Sequence, residues 1–267
     1  MNLFFRKLGQ GPPLIIIHGL YGSSGNWFTI GKKLAENFEV YLIDQRNHGQ
    51  SPHEHEHNYI LLKEDLREFM DQHSIEKAII LGHSMGGKTA MFFSADYPER
   101  IISLIIVDIS PLSYLTTNSA QLLQHKIILD SMLSIDFSNI SSREQVDAIL
   151  SESIPQNQVR QFLLKNIKRS KDNKFHWGLN ISVLQNELPK IIDGLNINDF
   201  KNKKSITGFP VLFIKGAESD YIQESDIKAI KTIYPQTEMI TIHDAGHWVH
   251  AEQPELFLKT VLQFLLS

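Results

Sequence analysis

Short, continuous apolar runs recur along the chain and alternate with stretches in which apolar residues lie three or four positions apart. The runs are Leu14 to Gly19, Val40 to Asp44, Lys77 to Gly82, Ile102 to Asp108, Phe209 to Gly216 and Glu238 to Asp244. Such runs are typical of parallel strands covered by helices on both faces. The pattern predicts an α/β fold with a mostly parallel, doubly wound sheet, whose sites lie at the carboxyl ends of the strands.

This alternation breaks between about Leu112 and Ile206, in a stretch rich in Asn, Gln, Ser and Lys. Three segments there, "NSAQLLQHKIILDSMLS", "SREQVDAILSES" and "NQVRQFLLKNIK", have helical spacing, and none has the pattern of a strand. We therefore predict a core formed by residues 1–111 and 207–267 and a helical cap, or lid, formed by residues 112–206. The chain returns to the sheet through the polar linker "KNKKSITG", before the last two predicted strands.

Composition narrows the functional classes. The net charge of −4 gives no support for nucleic-acid binding, and no apolar run reaches the length of about 18 residues that a membrane span needs. The chain has no cysteine, which excludes disulfides, a thiol nucleophile and cysteine-bound metal. The start "MNLFFRKLGQG" does not have the pattern of a signal peptide, so a cytoplasmic protein is expected. Nothing in the sequence indicates the oligomeric state.

Ser84 lies in "GHSMG", which follows a predicted strand and precedes a helical pattern that ends at Pro98. The G-x-S-x-G pattern in a strand–turn–helix context is typical of a nucleophile elbow, in which glycines permit a strained turn and close backbone approach. We predict that Ser84 is a nucleophile. The alternative is a structural serine that caps the helix.

A serine nucleophile needs a neighbouring base. His247, in "HDAGHWVHAEQP", follows the last predicted strand, where a loop would carry its imidazole over the strand ends near Ser84. A third residue, an acid, should orient this histidine. Asp108 and Asp220 both fit the order serine, acid, histidine, and Glu218 is close to the second of them, so spacing alone leaves the choice of acid open.

An oxyanion hole requires two backbone N–H donors. We expect one from Met85, the residue after the serine, and one from Leu20, in the loop after the first predicted strand. Tyr21, His83 and Trp248 are candidates for the substrate pocket because they neighbour these positions in the sequence.

Several motifs resemble those of the α/β-hydrolase superfamily, and more closely those of YbfF-type esterases. They are "HGLYGSSGNW" from His18, "DQRNHGQSPH" from Asp44, "GHSMGGKTAM" from Gly82, "VDISPLSY" from Val107 and "DAGHWVHAEQP" from Asp244. The resemblance implies an α/β-hydrolase fold and hydrolysis of acyl esters or thioesters, with Ser84 as nucleophile and His247 as base.

The resemblance also bears on the acid. Superfamily members usually place an aspartate three residues after the glycine that ends the later strand, and in this chain that position is Ser219. YbfF-type proteins also lack this aspartate and use the aspartate of the "VDI" motif, which matches Asp108. The resemblance therefore favours Asp108 over Asp220 as the acid.

Two other motifs are discounted. "HEHEH", His53 to His57, formally fits the zinc-protease pattern H-E-x-x-H, but it follows a proline, has no apolar residue and is expected to be a solvated loop without a metal. "GHSMGGKT" is too short between its glycines for a phosphate-binding loop.

These features predict a serine hydrolase that needs no cofactor and cleaves a small short- to medium-chain acyl ester or thioester. Two alternatives use the same fold. One is C–C bond hydrolysis or a lyase reaction, and the other is a catalytically silent protein that binds a small molecule beneath its cap.

Overall fold

The computed structural model describes residues 1–117, 119–198 and 205–266. Its strands are β1 (Phe5–Leu8), β2 (Pro13–Ile17), β3 (Glu39–Ile43), β4 (Ala78–His83), β5 (Ile101–Val107), β6 (Ile167–Arg169), β7 (Phe175–Trp177), β8 (Val211–Gly216) and β9 (Glu238–Ile242). Its α-helices are α1 (Phe28–Leu34), α2 (Tyr59–Gln72), α3 (Met85–Asp96), α4 (Tyr114–Thr117), α5 (Ser119–Leu133), α6 (Arg143–Ser151), α7 (Asn157–Leu164), α8 (Ile181–Asn186), α9 (Leu188–Ile191), α10 (Glu224–Ile233), α11 (Val249–Glu252) and α12 (Pro254–Leu266). Short 3-10 helices span Ser24–Trp27, Pro98–Arg100 and Phe137–Asn139.

Seven of these strands form one sheet in the order β1-β3-β2-β4-β5-β8-β9. The six predicted strands are all present and pair in parallel, which confirms the predicted α/β fold. Strand β1, which the sequence did not predict, pairs antiparallel with β3 at the sheet edge. Its four residues, "FRKL", include two charged side chains and are too short and too polar to give an apolar run.

Alternate residues of each central strand enter two different cores, as the two-residue period of a strand requires. Leu14 and Ile16 of β2 belong to a cluster that includes Leu34 of α1 and Phe257 of α12. On the opposite face, Ile17 belongs to a larger cluster with residues of α2, α3 and α10. The two-sided cover explains why the strands read as continuous apolar runs.

The segment between β5 and β8 carries the helices α4 to α9. It also contains β6 and β7, which pair antiparallel from Ile167↔Trp177 to Arg169↔Phe175. The expectation that this segment lacks strands was therefore wrong, because strands of three residues are too short to show a two-residue period. The Nε1 of Trp177 donates a hydrogen bond of 2.9 Å to the carbonyl of Met132, which ties this hairpin to α5.

The predicted return linker "KNKKSITG" falls partly on residues 201–204, which lie outside the described residues. Ile206, in its second half, is buried. Within the described part of the chain, no helix combines the length and the apolar character needed to cross a membrane.

Candidate active site

Ser84 occupies the tight turn between β4 and α3. Its backbone has φ 53° and ψ −123°, a conformation rarely adopted by residues other than glycine, and its N–H donates a hydrogen bond of 3.0 Å to the carbonyl of Val107. Gly86 makes the turn possible, because a Cβ at this position would lie 2.3 Å from the carbonyl oxygen of Ile17. The turn therefore holds the serine in a strained backbone conformation at the carboxyl end of the sheet.

Asp108 follows β5, the strand next to β4, and its side chain is fully buried. Its carboxylate accepts three hydrogen bonds. Gly216 N–H donates to Oδ1 at 3.0 Å, while His247 Nδ1, at 2.8 Å, and the Ser219 hydroxyl both donate to Oδ2. These donors offset the cost of removing a carboxylate from water.

His247 lies in the loop between β9 and α11, and three neighbours fix its position. Asp108 binds Nδ1, the ring of Tyr221 stacks on the imidazole at 3.7 Å between centroids, and His83 Nε2 donates a hydrogen bond of 2.8 Å to the His247 carbonyl. With Nδ1 held by a carboxylate, Nε2 is the ring nitrogen left for proton transfer. His247 and Ser84 line the same cavity.

The alternative acids are placed differently. Asp220 and Glu218 are both exposed, whereas Ser219 between them is buried. Among the described residues, the carboxylate that binds His247 belongs to Asp108. In the sequence Ser219 marks only the position where a superfamily aspartate is missing, and no sequence signal indicates its hydrogen bond to Asp108.

The loop after β2 passes directly beside Ser84. A Cβ added at Gly19 would lie 3.0 Å from the Ser84 Cβ. His18 fixes this loop, since its Nδ1 lies 2.8 Å from the Gly19 carbonyl and its Nε2 accepts a hydrogen bond of 3.0 Å from the N–H of Gln45. The oxyanion candidates Leu20 and Met85 line one small cavity together with Ser84.

Gln45 connects the loop after β2 to α3, the helix that follows Ser84. No sequence motif indicates this role. Gln45 Nε2 donates to the carbonyl of His18 at 2.8 Å, and its Oε1 accepts from the hydroxyl of Thr89 on α3 at 2.8 Å. Gln45 is buried, so both hydrogen bonds are shielded from water. The side chain thereby links the loop after β2 to α3.

Two cavities meet at Ser84. The large chamber has a volume of about 130 Å³ and is lined by Gly19, Leu20, Tyr21, His83, Ser84, Gln124, His125, Ile128, Val159, Phe162, Leu163, Tyr221, His247 and Trp248. The small chamber has a volume of about 20 Å³ and is lined by Leu20, Tyr59, Ser84, Met85, Lys88, Ile109, Tyr114, Gln121, His125, Ile191, Ile192 and Tyr221. All three predicted pocket residues, Tyr21, His83 and Trp248, line the large chamber.

His125, on α5, bridges two tyrosines between the chambers. Its Nδ1 lies 3.2 Å from the hydroxyl of Tyr21, and its Nε2 lies 3.1 Å from the hydroxyl of Tyr221. Burial lowers the pKa of His125 to about 4 and raises the pKa of both tyrosines, so all three side chains are neutral near pH 7. No motif distinguishes His125 from the other histidines among the twelve in the chain.

Lys88, one turn beyond Ser84 on α3, is fully buried. Its Nζ donates to the carbonyls of Leu112 at 2.8 Å, Ile192 at 3.3 Å and Asp193. Burial lowers the pKa of the Lys88 ammonium to about 7, against the raising effect of the Asp193 charge. The lysine ties the elbow helix to both ends of the segment between β5 and β8.

The "HEHEH" segment is only partly the solvated loop that was expected. Residues 53–56 are exposed, but His57 is fully buried, with Nε2 3.3 Å from the sulfur of Met85. Burial lowers the pKa of His57 to about 3, so the ring is neutral. The described residues contain no group of three or more His, Asp or Glu side chains arranged to hold a metal ion.

Comparison with known proteins gives consistent matches over almost the whole chain. Residues 12–254 match the model of the alpha/beta hydrolase fold family. The chain is 34% identical to "Putative esterase/lipase" of Haemophilus influenzae, covering 99% of this chain and 88% of that protein, and 32% identical to "Esterase YbfF" of Escherichia coli, covering 95% and 92%. A solved structure described as "Marine microorganism esterase" matches with a TM-score of 0.93 and 45% identity, over 98% of this chain and 99% of that one.

Proposed function

Because the chain belongs to the α/β-hydrolase family, we propose that it hydrolyses carboxylic esters or thioesters through an acyl-enzyme formed on Ser84. The observation that carries this proposal is the 2.8 Å hydrogen bond from His247 Nδ1 to Asp108 Oδ2, in a site where His247 and Ser84 line one cavity. A nucleophile, a base and an orienting acid are the three groups that acyl transfer to serine requires.

In the first half of the reaction, Ser84 Oγ attacks the carbonyl carbon of the substrate and His247 Nε2 accepts the hydroxyl proton. Asp108 keeps the imidazole in the tautomer that presents Nε2 and stabilises the imidazolium as it forms. When the tetrahedral intermediate collapses, the imidazolium gives its proton to the departing alcohol or thiol. The acyl group remains on Ser84 as an ester.

The negative charge of the intermediate is stabilised by the backbone N–H groups of Leu20 and Met85. Both residues line the small chamber with Ser84, and the loop that carries Leu20 is held by His18 and Gln45. Donors fixed before the reaction need no reorganisation as charge develops, and a single such donor is typically worth about 3 kcal/mol of transition-state stabilisation.

In the second half, His247 removes a proton from water, which attacks the acyl carbonyl. The imidazolium then returns the proton to Ser84 Oγ as the second intermediate collapses, which releases the acid and free Ser84.

We further propose that residues 112–206 act as a cap over this site. Its side chains, including His125, Ile128 and Phe162, form one wall of the large chamber and limit the access of bulk water to the acyl-enzyme.

Intact mass measured after incubation with a fluorophosphonate tests the proposal without a guess about the substrate. One adduct on the wild type and none on Ser84→Ala is the expected result, because an activated serine reacts regardless of its natural acyl group. A folded wild type that gains no mass, and that also hydrolyses no ester, would contradict the proposal.

A further inference from the structure

Two chambers of different size and chemistry meet at Ser84, and only one of them is lined by the proposed base. His247 and Trp248 line the large chamber, whereas the described residues around the small chamber do not include His247. Ser84 and Leu20 line both. An ester bound at Ser84 must therefore direct its acyl part into one chamber and its alcohol part into the other.

The source of the proton that the leaving alcohol receives decides which chamber holds the alcohol part of the ester and which holds the acyl part. In the proposed function, on which this inference rests, the imidazolium of His247 protonates the alcohol oxygen, and a general acid must lie within hydrogen-bond reach of that oxygen. The alcohol therefore departs through the large chamber. We propose that the small chamber receives the acyl group, so that the enzyme selects esters of very short acyl groups, of two or three carbons, with bulky apolar alcohols.

The volume of the small chamber sets the limit on acyl length. About 20 Å³ is close to the space that one water molecule occupies by the same kind of measure. The methyl group of an acetyl ester is of that size, and a propionyl chain fills the space. A longer chain needs the walls to move apart.

Buried hydrogen bonds prevent the walls from moving apart. The Tyr59 hydroxyl donates to the carbonyl of Ile191, and Lys88 Nζ donates to the carbonyls of Ile192 and Asp193. The donors belong to the core helices α2 and α3, and together they hold residues 191–193, of which Ile191 and Ile192 line the small chamber. Widening the chamber would break these bonds away from water, where an unmade hydrogen bond is costly.

Gln121 places a polar side chain in the lining of the small chamber, which disfavours a longer apolar chain. Gln121 is buried, with 7% of its surface exposed, and its Oε1 has no hydrogen-bond partner among the described residues. An alkyl chain packed against this oxygen would exclude any water that could donate to it, and a buried acceptor without a donor is costly. Shape and polarity therefore impose the same limit.

The large chamber has the opposite character. It is lined by Trp248 and by four apolar side chains of the cap, Ile128, Val159, Phe162 and Leu163. The rings of Phe162 and Trp248 are in contact, with centroids 5.2 Å apart. Burying the apolar surface of a bulky alcohol against this wall makes binding more favourable, whereas a small alcohol such as ethanol has little apolar surface to bury.

The test uses two ester series with purified wild type. In p-nitrophenyl esters of increasing acyl length, kcat/KM is expected to fall about tenfold or more from acetyl to hexanoyl. In acetate esters of increasing alcohol size, followed by acid release, it is expected to rise about tenfold from ethyl to naphthyl. A preference for hexanoyl over acetyl, or for ethyl over naphthyl acetate, overturns the proposal.

Variants of the chamber walls separate the two sites. Ile191→Ala, with Ile109→Ala as a second variant of the same wall, is expected to raise the hexanoyl-to-acetyl ratio of kcat/KM about tenfold. Ile154→Ala is the matched control, because Ile154 is a buried isoleucine of the same inserted segment that lines neither chamber. Phe162→Ala is expected to weaken the alcohol preference without changing the acyl ratio. These ratios do not depend on the fraction of folded enzyme.

Fluorophosphonate labelling distinguishes failure of this inference from failure of the proposed function. A labelled enzyme that prefers long acyl groups, or whose acyl ratio is unchanged in both wall variants, overturns the chamber assignment and leaves the serine hydrolase intact. An enzyme that is folded, unlabelled and inactive on both series overturns the proposed function and the chamber assignment together.

Discussion

Ser219 donates a hydrogen bond from its hydroxyl to Oδ2 of Asp108, the same oxygen that accepts from His247. The two residues follow β8 and β5, which are neighbours in the sheet although they are far apart in the chain. Ser219 stands where the resemblance to the superfamily would place the acid. The carboxylate of Asp108 therefore follows one strand, and the hydroxyl that donates to it follows the adjacent strand. The imidazole that binds the same oxygen comes from the loop after β9.

Asp108→Asn should lower kcat by about 10³- to 10⁴-fold, because an amide favours the wrong tautomer of the imidazole and cannot stabilise imidazolium. Asp220→Asn should leave kcat within about threefold of wild type, since Asp220 is exposed and substitutions at such positions have small effects. Steady-state kinetics on one ester tests both variants. A large loss in Asp220→Asn with an active Asp108→Asn would reverse the assignment of the acid.

Ser219→Ala should lower kcat about tenfold with little change in KM. The substitution removes one of the three donors to a buried carboxylate, and a hydrogen bond to a charged group contributes about 1.5–3 kcal/mol. Ser219 lines neither chamber that would hold the alcohol and acyl parts of the substrate, so ground-state binding of the substrate should be largely unaffected.

Ser94→Ala provides the control for Ser219→Ala. Ser94 is also fully buried and its hydroxyl lies 2.8 Å from both the Met91 carbonyl and the Tyr234 hydroxyl, away from Ser84. Its replacement should lower the free energy of unfolding without changing kcat. Equal kcat in the two serine variants would show that Ser219 has only a structural role.

Gly86→Ala should destabilise the protein by about 3 kcal/mol or prevent folding, because the new methyl group would lie 2.3 Å from the backbone carbonyl of Ile17. Gly25→Ala is the comparison, since its nearest contact would be 3.5 Å from Ser23 Oγ, an ordinary van der Waals distance. Urea unfolding followed by tryptophan fluorescence measures both. If the two alanine variants are equally stable, close contact at the elbow does not limit folding.

His250→Phe should make the protein less sensitive to acid. Burial lowers the pKa of His250 from 6.5 to about 3, so the folded protein keeps the ring neutral while the unfolded chain binds a proton below pH 6.5. The stability that depends on this neutral ring is complete above pH 6.5 and is lost as the pH falls towards 3. Between pH 7 and pH 5 the loss is about 2 kcal/mol.

Phenylalanine is a suitable replacement because His250 stacks on Trp27 at 3.9 Å between ring centroids and its Nδ1 has no hydrogen-bond partner in the part of the chain that the structure describes. Urea unfolding at pH 7 and pH 5 should show a smaller difference for His250→Phe than for wild type. The exposed His55, replaced by Gln, serves as the control and should behave as wild type does. An unchanged difference in His250→Phe would mean that this ring does not contribute to acid sensitivity.

The sequence by itself determined the six parallel strands, the elbow at Ser84 and the position of His247 after the last strand. Each of these depends on a local signal: continuous apolar runs mark strands buried on both faces, and glycines mark a turn in which backbones approach closely. Where the local signal is weak, prediction fails. Strand β1 has only four residues, and β6 and β7 have three each, so none of them shows a clear period.

Only the tertiary structure decided which carboxylate binds His247. Asp108 and Asp220 both fit the chain order of serine, acid and histidine. In the structure Asp108 is fully buried and contacts His247, which lies 139 residues later in the chain, whereas Asp220 is exposed. Other hydrogen bonds of the site likewise connect segments that are distant in the chain, namely those of Ser219, Gln45, His125 and Lys88. The two chambers at Ser84 are also lined by residues from distant segments. Their positions depend on the order of strands in the sheet and on how the inserted segment packs over it, and residue spacing along the chain records neither.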